Sequence, residues 1–449
     1  MFTDDGEMRS ATGKSVLKKH LKVDASSRPT SEGSMVIDGT AVLWVVHWPT
    51  NGTVGNYVMN FKQYLIQKVK KEDVYLVFDR YYDYSTKSVT RSSRSASRIH
   101  HQLSMTTELP PQKVILTVTE NKKQLIEIIC NELKGDICFH REIQGHKLII
   151  TSQEETPIEI RNGEILTRYD MTTSHEEADI IIAQQMLLAA KESPASITII
   201  SDDTDVFVLI LHYYQTEGLS CAVLMESPVR DRAIVDIGMT VAKHIDIIPE
   251  LLAAHALTGC DTVACFYGIG KTTVLKVLQS GLSLSLLGHV DASFSSVLKQ
   301  ATDFLIACYG LKSCSTMSQA RLRAWATKTG KGYTSTPRLC SLPPTSEAFE
   351  QNVKRAHYQT AVWLSIEDLP TLNVEEFGWK KDATNKTLLP TALPITVNSA
   401  PDSVLRLIRC GCESDSSCSS SRCGCRGSSL PCTIFCACYD VICYNTNHL

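Results

Sequence analysis

Three times along the chain a short, unbroken apolar run ends in acid. SMVIDG (34–39) ends at Asp38, VYLVFD (74–79) ends at Asp79, and SITIIS (196–201) leads into Asp202, Asp203 and Asp205. Apolar runs of this length without alternation are what parallel strands buried on both faces look like. Between them the period lengthens to that of a helix, in YVMNFKQYLIQKVKK (57–71), KKQLIEIICNELK (122–134) and EEADIIIAQQMLLAAKE (176–192). Strands alternating with helices predict an α/β fold with a mainly parallel sheet flanked by helices. HKLIITSQEETPIEIRNGEIL (146–166) reads instead as an antiparallel excursion turning at Asn162-Gly163. A further helix is expected over 346–364, while SLPPTS and LLPTALPITVNSAP read as linkers or extended segments.

These patterns divide the chain into a polar segment over 1–34 with no clear core, an α/β domain over 35–285, a mostly helical and linker region of unassigned role over 286–408, and a cysteine-rich module over 409–449. A length of 449 residues allows two or three domains, and 43% hydrophobic with 21% charged residues allows an ordinary core. The net charge of −3 and pI of about 6.5 carry no global signal for nucleic acid, although local basic patches are compatible with them. The polar N-terminus and apolar runs no longer than VFVLIL lead to the expectation of a soluble, intracellular protein without a membrane partner. Oligomeric state is left open.

In parallel α/β sheets ligands sit beyond the carboxyl ends of the strands. Asp38, Asp79, Asp203 and Asp205 would therefore converge there, joined by Glu177 and Asp179 at a helix start and by Asp261 in LTGCDTVACFYGIGKTT. Each acid alone is ordinarily a turn residue or helix cap, and Ser174-x-x-Glu177 fits a capping box. Together they form an oxygen-rich set suited to Mg²⁺ or Mn²⁺, and two such ions are the usual apparatus for phosphodiester hydrolysis.

The order VIDG, VFDR, EEAD, DDTD, TGCD, GIGK resembles the flap endonuclease (XPG-like) family, which has a PIN-like nuclease fold; the resemblance covers about residues 35–285. It implies that Asp38, Asp79, Glu177, Asp179, Asp203, Asp205 and Asp261 hold two Mg²⁺ or Mn²⁺ ions. Asp179 stands where the family has Glu, and the family's Met-Gly-Ile start is absent. YSTKSVTRSSRSASRIHHQ (84–102) is a basic stretch without acid, readable as a solvated loop or as a phosphate-binding arm disordered until nucleic acid binds. The resemblance makes it the arch, with Lys87 and Arg91 catalytic and Arg94 and Arg98 contacting nucleic acid.

GIGKTT is not a full P-loop, because Cys265 stands where the first glycine is required. A Gly-x-Gly turn entering a helix exposes N–H groups to a phosphate, or is simply a tight interhelical turn. The resemblance implies that Gly268, Gly270 and Lys271 open a helical hairpin gripping the DNA backbone, with K⁺ as an accompanying ion.

Nine of the seventeen cysteines lie in the tail, at 410, 412, 418, 423, 425, 432, 436, 438 and 443. Three C-x-C pairs and an odd count disfavour disulfides and favour shared zinc. The stretch resembles the CXC module of tesmin-like proteins, which implies that Cys410, Cys412, Cys418, Cys423, Cys425, Cys432, Cys436, Cys438 and Cys443 hold three Zn²⁺ ions, with Arg422 and Arg426 near DNA. The resulting expectation is a nuclear, metal-dependent nuclease with DNA favoured over RNA. The alternative is an inactive nuclease-fold scaffold that binds nucleic acid or protein through the zinc tail.

Overall fold

The computed structural model describes residues 1–2, 8–11, 13–27, 33–94, 99–192, 196–329 and 339–393 and, in the tail, 410–412, 418–427, 431–432, 436–438 and 443–445. A short helix α1 (Ser15–Leu21) precedes β1 (Gly33–Asp38), α2 (Gly39–Val42), α3 (Val54–Val69) and β2 (Asp73–Val77). Four helices follow: α4 (Ser88–Arg94), α5 (Gln112–Thr117), α6 (Thr119–Gly135) and α7 (Ile137–Glu142). The chain then returns to the sheet with β3 (Lys147–Thr151), β4 (Ile158–Arg161) and β5 (Glu164–Thr167), and continues through α8 (Ala178–Glu192), β6 (Ser196–Ile200), α9 (Thr204–Thr216), β7 (Val223–Glu226) and β8 (Val235–Asp236). Beyond the sheet lie α10 (Ile237–Lys243), α11 (Ile248–Leu257), α12 (Lys271–Gln279), α13 (Phe294–Cys308), α14 (Met317–Thr329) and α15 (Ser346–Leu364). A hairpin of β9 (Trp379–Asp382) and β10 (Thr387–Pro390) and a single turn, α16 (Gly424–Gly427), complete the described elements.

The sheet runs β5-β4-β3-β2-β1-β6-β7-β8. Its five central strands are parallel, and β4, β5 and β8 are antiparallel additions at the edges. This is the expected α/β architecture, and the expected excursion is the β4–β5 hairpin. Asn162 and Gly163 both take positive φ there, 52° and 85°, as a two-residue turn with the hand of the strand twist requires.

Alternation along each strand divides the core between the two faces. Met35, Ile37, Val74, Leu76, Leu148 and Ile150 pack against α3, α5 and α6, whereas Val36, Tyr75, Val77, Ile149, Ile197 and Ile199 pack against α8, α9, α11 and α15. Packing runs across both limits of the 35–285 segment. Leu17 and Leu21 of the polar N-terminal segment are buried in the second core, and so are Val297, Phe304, Phe349 and Trp363 from beyond residue 285. A seven-residue helix offers too few positions for a period to show in sequence, and its stability comes from the surface it docks on.

The basic stretch read as disordered is helical over Ser88–Arg94. The β9–β10 hairpin clasps its start: Tyr84 N donates to Lys386 O at 2.8 Å, Ser88 Oγ to Leu388 O at 3.2 Å, and Lys386 Nζ pairs with Asp83 at 3.0 Å. These partners lie some 300 residues away in sequence, so no local pattern announces them. Arg98 and most of the expected linker after Pro390 lie outside the described residues, and only the backbone of Arg94 is described.

Leu17 is fully buried with no polar role. Leu17→Ala should lower stability by about 2–4 kcal/mol, read as a shift in urea midpoint at unchanged slope.

Candidate active site and cysteine cluster

Strand β1 pairs with β2 and β6 in registers that set Asp38 beside Val77 and Ile37 beside Ile200. Three strand ends therefore meet at one edge. Asp38 caps α2, accepting from Ala41 N at 2.9 Å and from Ser201 Oγ at 3.0 Å. Asp79 lies just past β2 and accepts from Ala178 N at 3.2 Å, which ties the start of α8 to that strand. Asp203 caps α9 by accepting from Asp205 N at 2.8 Å. The cap roles considered for these acids are real, but a carboxylate has lone pairs left for a second partner. Asp38, Asp79, Asp179, Asp203 and Asp261 line one cavity of about 240 Å³ together with Lys87, Thr90, Arg91 and Lys122.

Two ammonium groups divide the acids between them. Lys87 Nζ lies 2.8 Å from Asp179 and 3.4 Å from Glu177. Lys14 Nζ lies 2.8 Å from Asp261, 3.1 Å from Asp205 and 3.6 Å from Asp203. Burial alone would lower both lysine pKa values, but the surrounding carboxylates outweigh it and raise them. Burial pushes Asp38 up to about 7 and also raises Glu177, Asp179 and Asp203. At Asp79 burial is overcome by Lys87, Lys122 and Arg91, and at Asp205 by Lys14 and His255, so these two are held below the ordinary carboxylate range.

Arg91 pairs with Glu176 at 2.7 Å and lies over the Tyr81 ring at 4.8 Å, so in this arrangement it fixes α4 to the loop before α8. Gly268 and Gly270 are exposed at the turn into α12. Gly268 has a φ of 75°, and no neighbouring atom crowds the Cβ position at either glycine. Lys271 departs from its expected place as a phosphate contact. It is buried, and its Nζ donates to His255 O, Thr258 Oγ1 and Gly259 O at 2.8–3.0 Å. Those acceptors sit at the C-terminal end of α11, where carbonyls lack helical partners and attract a cation.

Four residues essential to this geometry were not singled out from sequence. Lys14 lies in a polar stretch that carries no signal. Lys122 lies near the N-terminus of α6, where a cation opposes the helix dipole; that local conflict was the available clue. His255 reads as one histidine in an apolar helix. It is stacked on Trp363 at 5.9 Å, and burial lowers its pKa to about 4, so it donates to Asp205 at 2.9 Å as a neutral imidazole and not as an ion-pair partner. Arg80, next to Asp79, is fully buried and donates to the carbonyls of Ser152, Glu154, Glu155, Thr173 and His175 at 2.6–3.0 Å. It thereby ties the β3–β4 loop to the segment that carries Glu176 and Glu177.

The donor set fits a hard divalent ion. Its ligands are oxygen, and the buried Glu177 Oε2 has no hydrogen-bond donor, only the Lys87 ammonium at 3.4 Å. Among the described residues, however, the groups of three or more potential ligand atoms that all lie within 4.8 Å of one another are all cysteine sets: 410/418/423/432, 410/425/432/436 and 418/432/438/443. Sulfur–sulfur separations of 3.5–3.8 Å within the cluster are far longer than a disulfide. They match the roughly 3.8 Å edge of a tetrahedron with Zn–S of about 2.3 Å. Cys412 packs against the cluster but belongs to none of the three sets. Among the described residues of this module, those that are buried are cysteines.

Among solved structures the chain is similar to the T5 D15 protein co-crystallised with metal ions, at 13% identity over 73% of this chain and 100% of that one with a TM-score of 0.33. It is also similar to human GEN1 in complex with Holliday junction DNA (13% identity, 66% of this chain and 61% of that chain, TM-score 0.36) and to T5 5′-exonuclease with zinc ions bound (14%, 72% and 100%, 0.33). No protein-family model and no curated protein matches the chain. These likenesses are distant, and the chemistry rests on the site itself. Among the described residues no helix is long and apolar enough to cross a membrane.

Arg80→Lys should cost about 3 kcal/mol or more, because one ammonium cannot serve five carbonyls spread around a planar fork; a urea titration reads it. Chelation of zinc-loaded protein should expose the tail thiols to a thiol reagent and release close to three zinc ions per chain by elemental analysis.

Proposed function

We propose that this chain is a metal-dependent nuclease of the flap-endonuclease-like class, hydrolysing phosphodiester bonds in nucleic acid and acting structure-specifically on DNA. The observation that carries this reading is the gathering of acids from three strand ends, the start of α8 and the α11–α12 loop around one cavity that also receives Lys87, Arg91 and Lys122. The order of the motifs, which resembles that family, supports it.

Asp38, Asp79, Glu177 and Asp179 would hold one Mg²⁺ or Mn²⁺, and Asp203, Asp205 and Asp261 the other. Bound there, the two ions supply Lewis acidity, lowering the pKa of an attacking water and neutralising charge at the scissile phosphate. The chain's own residues orient and screen. Lys87 and Lys122 offer ammonium groups to the phosphate, Arg91 holds α4 in place, and His255 fixes the rotamer of Asp205. Exposed N–H groups at the Gly268–Gly270 turn, at the start of α12, suit a backbone phosphate, with K⁺ as an accompanying ion. The tail, loaded with Zn²⁺, adds affinity through Arg422 and Arg426, and the reading takes the nucleus as the site of action.

One observation favours a second reading. Both halves of the acid cluster already have a lysine partner, as a charge-balanced scaffold that binds nucleic acid or protein without cutting would.

The deciding experiment is cleavage of labelled single-stranded, duplex, 5′-flap and RNA substrates in Mg²⁺, Mn²⁺ or EDTA. The parent should cut only with metal, and the Asp203→Asn/Asp205→Asn variant should lose more than about 100-fold, the ceiling for changes outside the ligand shell. Binding that requires residues 409–449, with no cutting of any substrate by folded, zinc-loaded protein, selects the scaffold.

A further inference from the structure

Lys14 is held in place by more than its charge. Helix α1, which it begins, buries Leu17 and Leu21 in the core. His20 Nε2 meets Thr272 Oγ1 at 2.9 Å, and Lys18 lies 3.9 Å from Asp202 and 5.9 Å from the centre of the Phe207 ring. Past the helix, the backbone runs along the sheet edge. Asp236 N donates to Val23 O at 2.9 Å, Ala25 N to Ile234 O at 2.8 Å, and Val23 N to Thr240 Oγ1 at 3.0 Å. The lysine is thus delivered to the acids by a docked element with partners on α9, α10, α12 and the β7–β8 connection.

Its ammonium lies among three carboxylates on two supports. Asp203 caps α9, Asp205 lies in the first turn of α9, and Asp261 lies in the loop after α11. The side chain is only 19% exposed, and it shares Asp205 with the His255 imidazole, whose Nε2 lies 2.9 Å from Asp205 Oδ1. Three carboxylates offer a divalent ion a dense set of oxygens. An ion bridging Asp205 and Asp261 would stand where the Lys14 ammonium now touches both Asp205 oxygens and Asp261 Oδ1.

We propose that Lys14 is a built-in cation that competes with the second divalent ion at Asp203, Asp205 and Asp261, which binds there only as the Lys14 side chain swings out. The proposal rests on the metal-site reading above and adds the gate. Because α1 is anchored by its apolar face, the swing needs only rotation of the lysine stem about its own torsions, whose staggered states are close in energy when exposed.

Mn²⁺ binding to the full, zinc-loaded chain tests this without reference to cleavage. Electron paramagnetic resonance of free Mn²⁺ should give two sites in the parent, the second, at Asp203, Asp205 and Asp261, held weak by Lys14. Lys14→Met and Lys14→Gln should tighten the second at least tenfold and leave the first unchanged, while Lys14→Arg should keep it weak. On the parent itself, reductive methylation of Lys14, followed by mass spectrometry, should speed up as the second site fills with Mn²⁺ or with non-activating Ca²⁺; this measurement holds even where a variant folds poorly. Two sites with constants unmoved by Lys14→Met, or methylation indifferent to metal, overturns the gate and leaves the metal site standing. No Mn²⁺ bound by parent or variant brings down the metal site, and the gate with it.

Discussion

Everything at the edge of this sheet follows from repulsion among carboxylates. Two like charges 4 Å apart oppose each other by about 4 kcal/mol at the effective dielectric of a protein surface. The chain brings seven acids towards one cavity and still folds, because cations are brought from distant segments to stand among them. Lys14 comes from the N-terminal segment, and Lys87 from the turn just before the helix clasped by the β9–β10 hairpin. The raised pKa values of Asp38, Glu177, Asp179 and Asp203 record what repulsion and burial remain. A fold that tolerates such a residue of strain at one place is concentrating it where chemistry can use it.

The scaffold bears this load through connections that are not themselves acidic. Arg80 ties the loop between β3 and β4 to the segment before α8, so that Asp79 on one side and Glu177 on the other move as one body. Lys271 closes the end of α11 from the first position of α12, which fixes the loop carrying Asp261. The basic residues next to the site thus divide into those that face the acids and those that hold the backbone.

That division marks what sequence could and could not reveal. Strand ends and helix periods were legible because each is local: an apolar run of five or six residues, an acid at its end, a 3.6-residue repeat after it. Asp38, Asp79 and Asp203 were therefore readable as a convergent set before any coordinates were known. Lys14 was not, since it lies some 190 residues from Asp205 in a stretch whose buried apolar anchors, among the described residues, are Leu17 and Leu21. Lys271 was placed by its motif at the phosphate side, but burial and three acceptors turn it inward, a tertiary outcome with no trace in the spacing. The segment after residue 285 looked like a separate region because its helices are amphipathic in the ordinary way, and nothing in that pattern tells which core they complete.

In the tail, Cys432 belongs to all three four-sulfur sets, while Cys410 and Cys418 each belong to two. Sharing changes the charge of the module. Three zinc ions with four private thiolates each would carry two surplus negative charges apiece, whereas eight shared thiolates leave about two for the whole cluster. The less charge the sulfurs keep, the less it costs to bury them against one another, which is how eight of them can stand together inside so small a module.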